Sequence, residues 1–120
     1  MYSKGIFITG TDTDVGKTYI SAMIMKSLVK SNINATYFKA ALSGAEEIDN
    51  KLIPGDAKYV CDISGIDSNY DEMVSYTLKT AVSPHLASVI EGKEIKLEKI
   101  KYDFENLSNK YEFILAEGSG

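Results

Sequence analysis

Gly10-Thr11-Asp12-Thr13-Asp14-Val15-Gly16-Lys17-Thr18 (GTDTDVGKT, residues 10–18) decides the fold. Before it lies Gly5-Ile6-Phe7-Ile8-Thr9, a short apolar run that reads as a buried parallel strand. After it, Ile20, Met23, Ile24 and Leu28 recur at helical spacing up to Ser31. A glycine-rich turn between strand and helix, ending in Gly-Lys-Thr, is the context in which backbone N–H groups and a helix N-terminus surround phosphate oxygens. In such a loop Lys17 supplies a point charge to β- and γ-phosphates, and the Thr18 hydroxyl is a ligand for Mg²⁺. The spacing departs from the common pattern in one respect. Five residues, not four, separate Gly10 from Gly16.

Outward from the loop, Asn32 and Asn34 mark a turn and Ala35-Thr36-Tyr37-Phe38-Lys39 reads as a second strand. Strand, helix and strand in this order form a right-handed βαβ unit. Residues 43–55 are polar, end in Pro54-Gly55 and read as a loop. Asp56 to Ile63 reads as a short helix with Asp56 near its N-cap. Ser83-Pro84 starts another helix, with serine as N-cap, and Gly92 ends it. Leu97, Ile100, Phe104, Leu107 and Tyr111 fall on one face of a further helix. Glu112-Phe113-Ile114-Leu115-Ala116-Glu117 is a last strand, central because its apolar run implies cover on both faces.

The alternation predicts a single α/β domain over residues 1–120, a doubly wound parallel sheet with helices on both faces. Only three strands stand out, and a doubly wound sheet needs more, so the pattern predicts a chain truncated at its C-terminus. In 120 residues, 44% are hydrophobic and 25% charged, as in an ordinary globular domain. The net charge of −4 comes without a basic block, which gives no footprint for nucleic acid or an anionic membrane. No segment approaches the ~20 apolar residues of a membrane span. Cys61 is the only cysteine, excludes an internal disulfide and reads as a buried core thiol. A soluble cytoplasmic protein is the expectation.

Other side chains carry chemistry by position. Glu117 follows an apolar strand and should lie at the carboxyl edge of the sheet, where a carboxylate can hold Mg²⁺ or simply face solvent. Asp56 is open between a metal ligand and a helix cap. Lys39 ends a strand on the same edge, where its charge can stabilise phosphoryl transfer or merely be solvated. Ser43 on its own is a loop serine. His85, the sole histidine, reads as a capping or packing residue.

GTDTDVGKT (10–18), YFKAALSG (37–44), GDA (55–57), SPHLAS (83–88) and AEGSG (116–120) together resemble the dethiobiotin synthetases, in order and spacing, over the whole chain. The resemblance implies a P-loop NTPase-type fold and an ATP- and Mg²⁺-dependent cyclo-ligase. Such an enzyme builds the ureido ring of dethiobiotin from 7,8-diaminononanoate and CO₂, through a carbamate and a carbamic-phosphoric anhydride. It further implies that Lys17 and Lys39 are catalytic. By the same resemblance Asp14, Val15, Gly16, Lys17, Thr18 and Tyr19 hold the phosphates, and Asp56, Glu117, Gly118, Ser119 and Gly120 complete the nucleotide site. Thr13 and Ser43 would contact the substrate, Thr18, Asp56 and Glu117 would bind Mg²⁺, and the complete protein would be a homodimer. Two positions depart from the family: Ala40 stands where proline is usual, and Asp14 where glutamate is usual. A P-loop switch that drives a protein partner is the rival reading. The absence of a lysine in the loop before Lys17, with Lys39 and Ser43 present, favours the enzyme.

Overall fold

The computed structural model of the protein describes residues 4–8 and 14–118. Its parallel sheet is built from β1 (Lys4–Ile8), β2 (Ala35–Leu42), β5 (Val74–Thr77) and β6 (Phe113–Glu117) in the order β1-β6-β2-β5. Between β2 and β5 come a hairpin, β3 (Glu46–Ile48) and β4 (Lys51–Ile53), then α2 (Gly55–Ser64) and the one-turn α3 (Tyr70–Met73). The longer helices are α1 (Asp14–Lys30), α4 (Pro84–Glu91) and α5 (Leu97–Lys110). β6 pairs with β1 on one side and β2 on the other, so it is central as expected.

Alternation along the strands divides the core. Tyr37 and Leu115 face α1 and α2, where Ala22, Met25, Ala57, Val60 and Cys61 pack on them. Phe38 and Ile114 face the other way, toward Leu107 of α5. The Phe38 and Phe104 rings meet edge to face with centroids 5.5 Å apart. Helices therefore cover both faces, as the strand-helix alternation predicts. Burial of Cys61 pushes its thiol up to about 11, and the reading of a buried core thiol holds.

Three expectations are corrected. A fourth parallel strand, β5, was missed: its four residues, Val-Ser-Tyr-Thr, are too short and too polar to stand out, yet Val74 and Ser75 are buried beside β2. Residues 43–55 are not simply a loop, since β3 and β4 form an antiparallel hairpin. Asp49 and Asn50 turn it with φ of 52° and 65°, the left-handed pair that a two-residue hairpin requires and that these residue types tolerate. In α1, Ile20 is exposed, whereas Thr18, Ser21, Ala22 and Met25 are buried. Met23, Ile24 and Leu28 pack against the core as their spacing implies, so Ile20 alone of the four departs from the expected stripe.

The remaining helices follow their local signals. Ser83 caps α4, accepting from the Leu86 N–H at 3.4 Å with Pro84 in the first turn, and Gly92 ends it with φ of 67°. Glu91 at the far end of α4 accepts the N–H groups of Lys79 and Thr80. Those bonds, the Thr80 N–H foremost, hold its carboxyl below the usual range. The same loop reaches β2, where the Leu42 carbonyl accepts from Leu78 at 2.7 Å and the Gly44 N–H donates to Thr80 at 3.1 Å.

Candidate active site

Because β2 and β6 are parallel, with Phe38 opposite Ala116, their next residues come side by side at the carboxyl edge. Those residues are Lys39 and Glu117, both on the face that α1 and α2 cover. Each is almost fully enclosed, 1% exposed for Lys39 and 2% for Glu117. Buried charges of this kind persist only when paired and hydrogen-bonded. Lys39 Nζ lies 2.6 Å from Asp56 Oδ2 and 3.1 Å from Glu117 Oε2. Glu117 Oε2 also accepts from Thr18 Oγ1 at 3.2 Å, and Oε1 accepts from Ser21 Oγ at 2.8 Å. Lys17 Nζ donates to the Gly118 carbonyl at 3.1 Å.

Lys39 does not end its strand as the sequence suggests: β2 continues to Leu42 beside β5, and Lys39 is level with the end of the shorter β6. Thr18 and Ser21 are one turn apart on the buried side of α1, which starts at the carboxyl edge beyond β1. Gly118 continues β6 and donates its N–H to the Ile8 carbonyl at 2.9 Å, tying the ends of β1 and β6 together. Asp56 lies in the first turn of α2. It is not that helix's N-cap: Pro54 holds the position without a side-chain bond, and the Asp56 carboxylate turns to Lys39. The capping alternative is thereby corrected.

A family model described as an AAA domain matches residues 4–120. The chain belongs to the AAA domain family. It is 57% identical over 117 residues to ATP-dependent dethiobiotin synthetase BioD of Clostridium botulinum (strain 657 / Type Ba4). It is 54% identical over 118 residues to the protein of the same name from the Loch Maree / Type A3 strain. Against that of Clostridium novyi (strain NT) it is 53% identical over 118 residues. Each match takes in 98% of this chain and 50–52% of the relative. The chain thus spans about half the length of the curated relatives it matches. The resemblance to the dethiobiotin synthetases stands.

Within this AAA domain, Lys17, Thr18, Lys39, Asp56, Glu117 and Gly118 come together as the sequence motifs imply. Lys17 is not open to solvent, however, but buried against Gly118. Tyr19 is exposed on α1. Ser43 lies past the end of β2 and its hydroxyl donates to the Val82 carbonyl, beside the Ser83 cap of α4. His85 is exposed on the first turn of α4 and does not cap it; its backbone carbonyl accepts from Ser88. Thr13, Ser119 and Gly120 lie outside the described residues, and of Asp14 and Val15 only the helical backbone is described. Ser21 was missed. Its signal was a serine three residues after Thr18, on the same helix face.

The donors that converge are two carboxylate oxygens and a hydroxyl. This is a hard, all-oxygen set of the kind that suits Mg²⁺, which needs few protein ligands because it keeps water and phosphate oxygens. Around them stand two ammonium groups and the start of a 17-residue helix. Among the described residues, a Cβ placed on Gly16 would meet no heavy atom within 4 Å, so a ligand can approach the backbone there. The arrangement can neutralise a phosphate chain and hold a divalent cation beside it.

Proposed function

We propose that this chain carries the nucleotide-binding and phosphoryl-transfer machinery of an ATP-dependent cyclo-ligase that makes dethiobiotin from 7,8-diaminononanoate and CO₂. The observation that carries the reading is the convergence of Lys17, Thr18, Lys39, Asp56 and Glu117 at one end of a parallel sheet. The kinship with proteins named ATP-dependent dethiobiotin synthetase supports the choice of substrate class.

The chemistry divides among these groups. One amine of the diamine takes up CO₂ to give a carbamate and a proton. A carbamate oxygen attacks the γ-phosphorus of ATP, ADP leaves, and a carbamic-phosphoric anhydride results. The second amine then attacks the carbonyl carbon, closing the ureido ring as phosphate departs with the C–O bond electrons. Lys17 offsets charge on the β- and γ-phosphates from the start of α1, where residues 14–19 hold the phosphates through the first N–H groups of the helix and its side chains, and residues 118–120 complete the nucleotide site. Lys39 stabilises the carbamate and the phosphoryl group in flight. Thr13 and Ser43 hold the diamine. Mg²⁺, held by Thr18, Asp56 and Glu117, would supply charge neutralisation to the phosphates.

The same reading makes the complete protein a cytoplasmic homodimer. Leu86, Val89 and Ile90, exposed along one side of α4, supply an apolar surface for the second copy. The test is phosphate release and dethiobiotin formation with ATP, Mg²⁺ and CO₂, with and without 7,8-diaminononanoate. Diamine-dependent release with stoichiometric dethiobiotin is expected. Release indifferent to the diamine and stimulated by a protein partner would give preference to the switch.

A further inference from the structure

Lys39 occupies the place in which the proposed cation ligands converge. Its ammonium nitrogen is 2.6 Å from Asp56 Oδ2 and 3.1 Å from Glu117 Oε2, the two oxygens offered to a divalent ion. Mg²⁺ binds oxygen at about 2.0–2.1 Å and tolerates little distortion. An ion bound directly to both oxygens would therefore lie in near contact with the ammonium, and two cations do not share such a seat without water or an anion between them.

We propose that Lys39 is a resident cation of the carboxylate cradle, which a divalent metal displaces and thereby releases toward the phosphate chain. This rests on the reading of Thr18, Asp56 and Glu117 as cation ligands, and adds that metal and lysine exclude one another. Three features support it. Lys39 springs from β2, a strand buried along its length, so the backbone stays still while a flexible four-carbon stem moves the charge. Ser21 holds Glu117 through Oε1, leaving Oε2 as the contested atom in either state. Thr18 now donates to that same Oε2, and a rotation of its hydroxyl frees the lone pair that a metal needs.

The exchange has a chemical consequence. Without a divalent ion the lysine is bound to two carboxylates and is withheld from the reacting groups. Loading the metal compensates Asp56 and Glu117 and sets Lys39 free to meet a new anion. The ion pair seen here thus makes deployment of the lysine conditional on the metal, and keeps the enclosed carboxylates neutralised meanwhile.

The test is Mn²⁺ binding by electron paramagnetic resonance, without nucleotide, on the full chain and on Lys39→Met, with circular dichroism to verify both folds. Removal of the competing ammonium should tighten Mn²⁺ about tenfold, within the usual span of coupling between two ligands. Equal or weaker binding by Lys39→Met, where the unaltered chain binds measurably, would overturn the exchange and leave the cation site standing. Binding by neither would remove the cation site and the exchange together. A second measurement needs no variant: acylation of Lys39 by an amine-reactive reagent, read by peptide mass spectrometry. Saturating Mg²⁺ should speed its labelling, and an unchanged rate would sink the proposal even if Lys39→Met failed to fold.

Discussion

On the α1 and α2 side of the sheet, the residues that follow Tyr37 and Leu115 at a spacing of two are Lys39 and Glu117; on the α5 side, those that follow Phe38 and Ile114 are Ala40 and Ala116. The same two strands thus deliver charge to one layer and only small apolar groups to the other. On the charged side, hydrogen bonds and ion pairs tie α1, α2, β2 and β6 together at specific atoms. On the apolar side α5 is held mainly by shape, and a groove of about 520 Å³ remains between Phe7, Phe38, Leu97, Ile100 and Phe104. Directional contacts make a site and leave little slack. Packing tolerates a gap, but it gives a reacting group nothing to bind.

If the charged layer is as interdependent as its distances indicate, its largest response should come from Glu117→Ala. That change removes one of the two carboxylates that Lys39 meets among the described residues and takes the acceptor from Thr18 and Ser21. Breaking a buried ion pair on one side typically costs ~3–5 kcal/mol, to be read from urea unfolding. A loss below ~1 kcal/mol would mean the two layers do not differ as described. Next is Lys17→Ala, which should lower ATP-dependent turnover by a factor of one hundred or more, since one charge-stabilising contact contributes about 3 kcal/mol to the transition state. Near-normal dethiobiotin formation by that variant would take the phosphates away from Lys17. On the apolar layer, Leu107→Ala removes a side chain that is 1% exposed. The expected cost is about 2 kcal/mol, at the low end for such truncations because the adjoining groove allows the helix to settle inward. Turnover per folded molecule should be unaltered, and a parallel fall in turnover would show that α5 supports the site after all.

The contrast between layers also explains what could be read in advance. The helix that follows the glycine-rich stretch, Glu117 at the end of β6, the central place of β6 and the capped α4 are local patterns, and each was legible; Lys39 was misread as a strand end, because β2 runs on to Leu42 to pair with β5. The partner of Asp56 was not, because a residue in the first turn of a helix reads the same whether its carboxylate caps the backbone or crosses to a lysine 17 positions earlier. Ser21 was hidden for a related reason. A serine in an apolar helix shows a function only when the strand opposite is known to end in an acid. β5 has four residues and owes its burial to neighbours far away in sequence. Spacing thus reveals elements and edges, whereas the contacts between edges depend on register.

The smallest effect should come from Leu97→Ser, and it sharpens the comparison within a single helix. Leu97 and Leu107 belong to one apolar stripe of α5, and by spacing alone both should be core. They are not equivalent: Leu107 is 1% exposed and Leu97 is 77% exposed. Leu107 meets Phe38 and Ile114 on the central strands, whereas Leu97 lies at the helix start, on the rim of the groove beside Phe7, which is 64% exposed on the edge strand β1. Replacing Leu97 by serine therefore removes little buried area, and serine is well tolerated at a helix start. The urea midpoint should move by no more than ~0.5 kcal/mol of stability, the usual range for a surface change. Light scattering should fall as well, because an apolar groove beside a strand edge invites self-association. If Leu97→Ser instead cost as much as Leu107→Ala, and did so more strongly at higher protein concentration, the groove would be closed in solution by another copy of the chain. The two ends of the stripe would then be equally buried, as their spacing alone suggests.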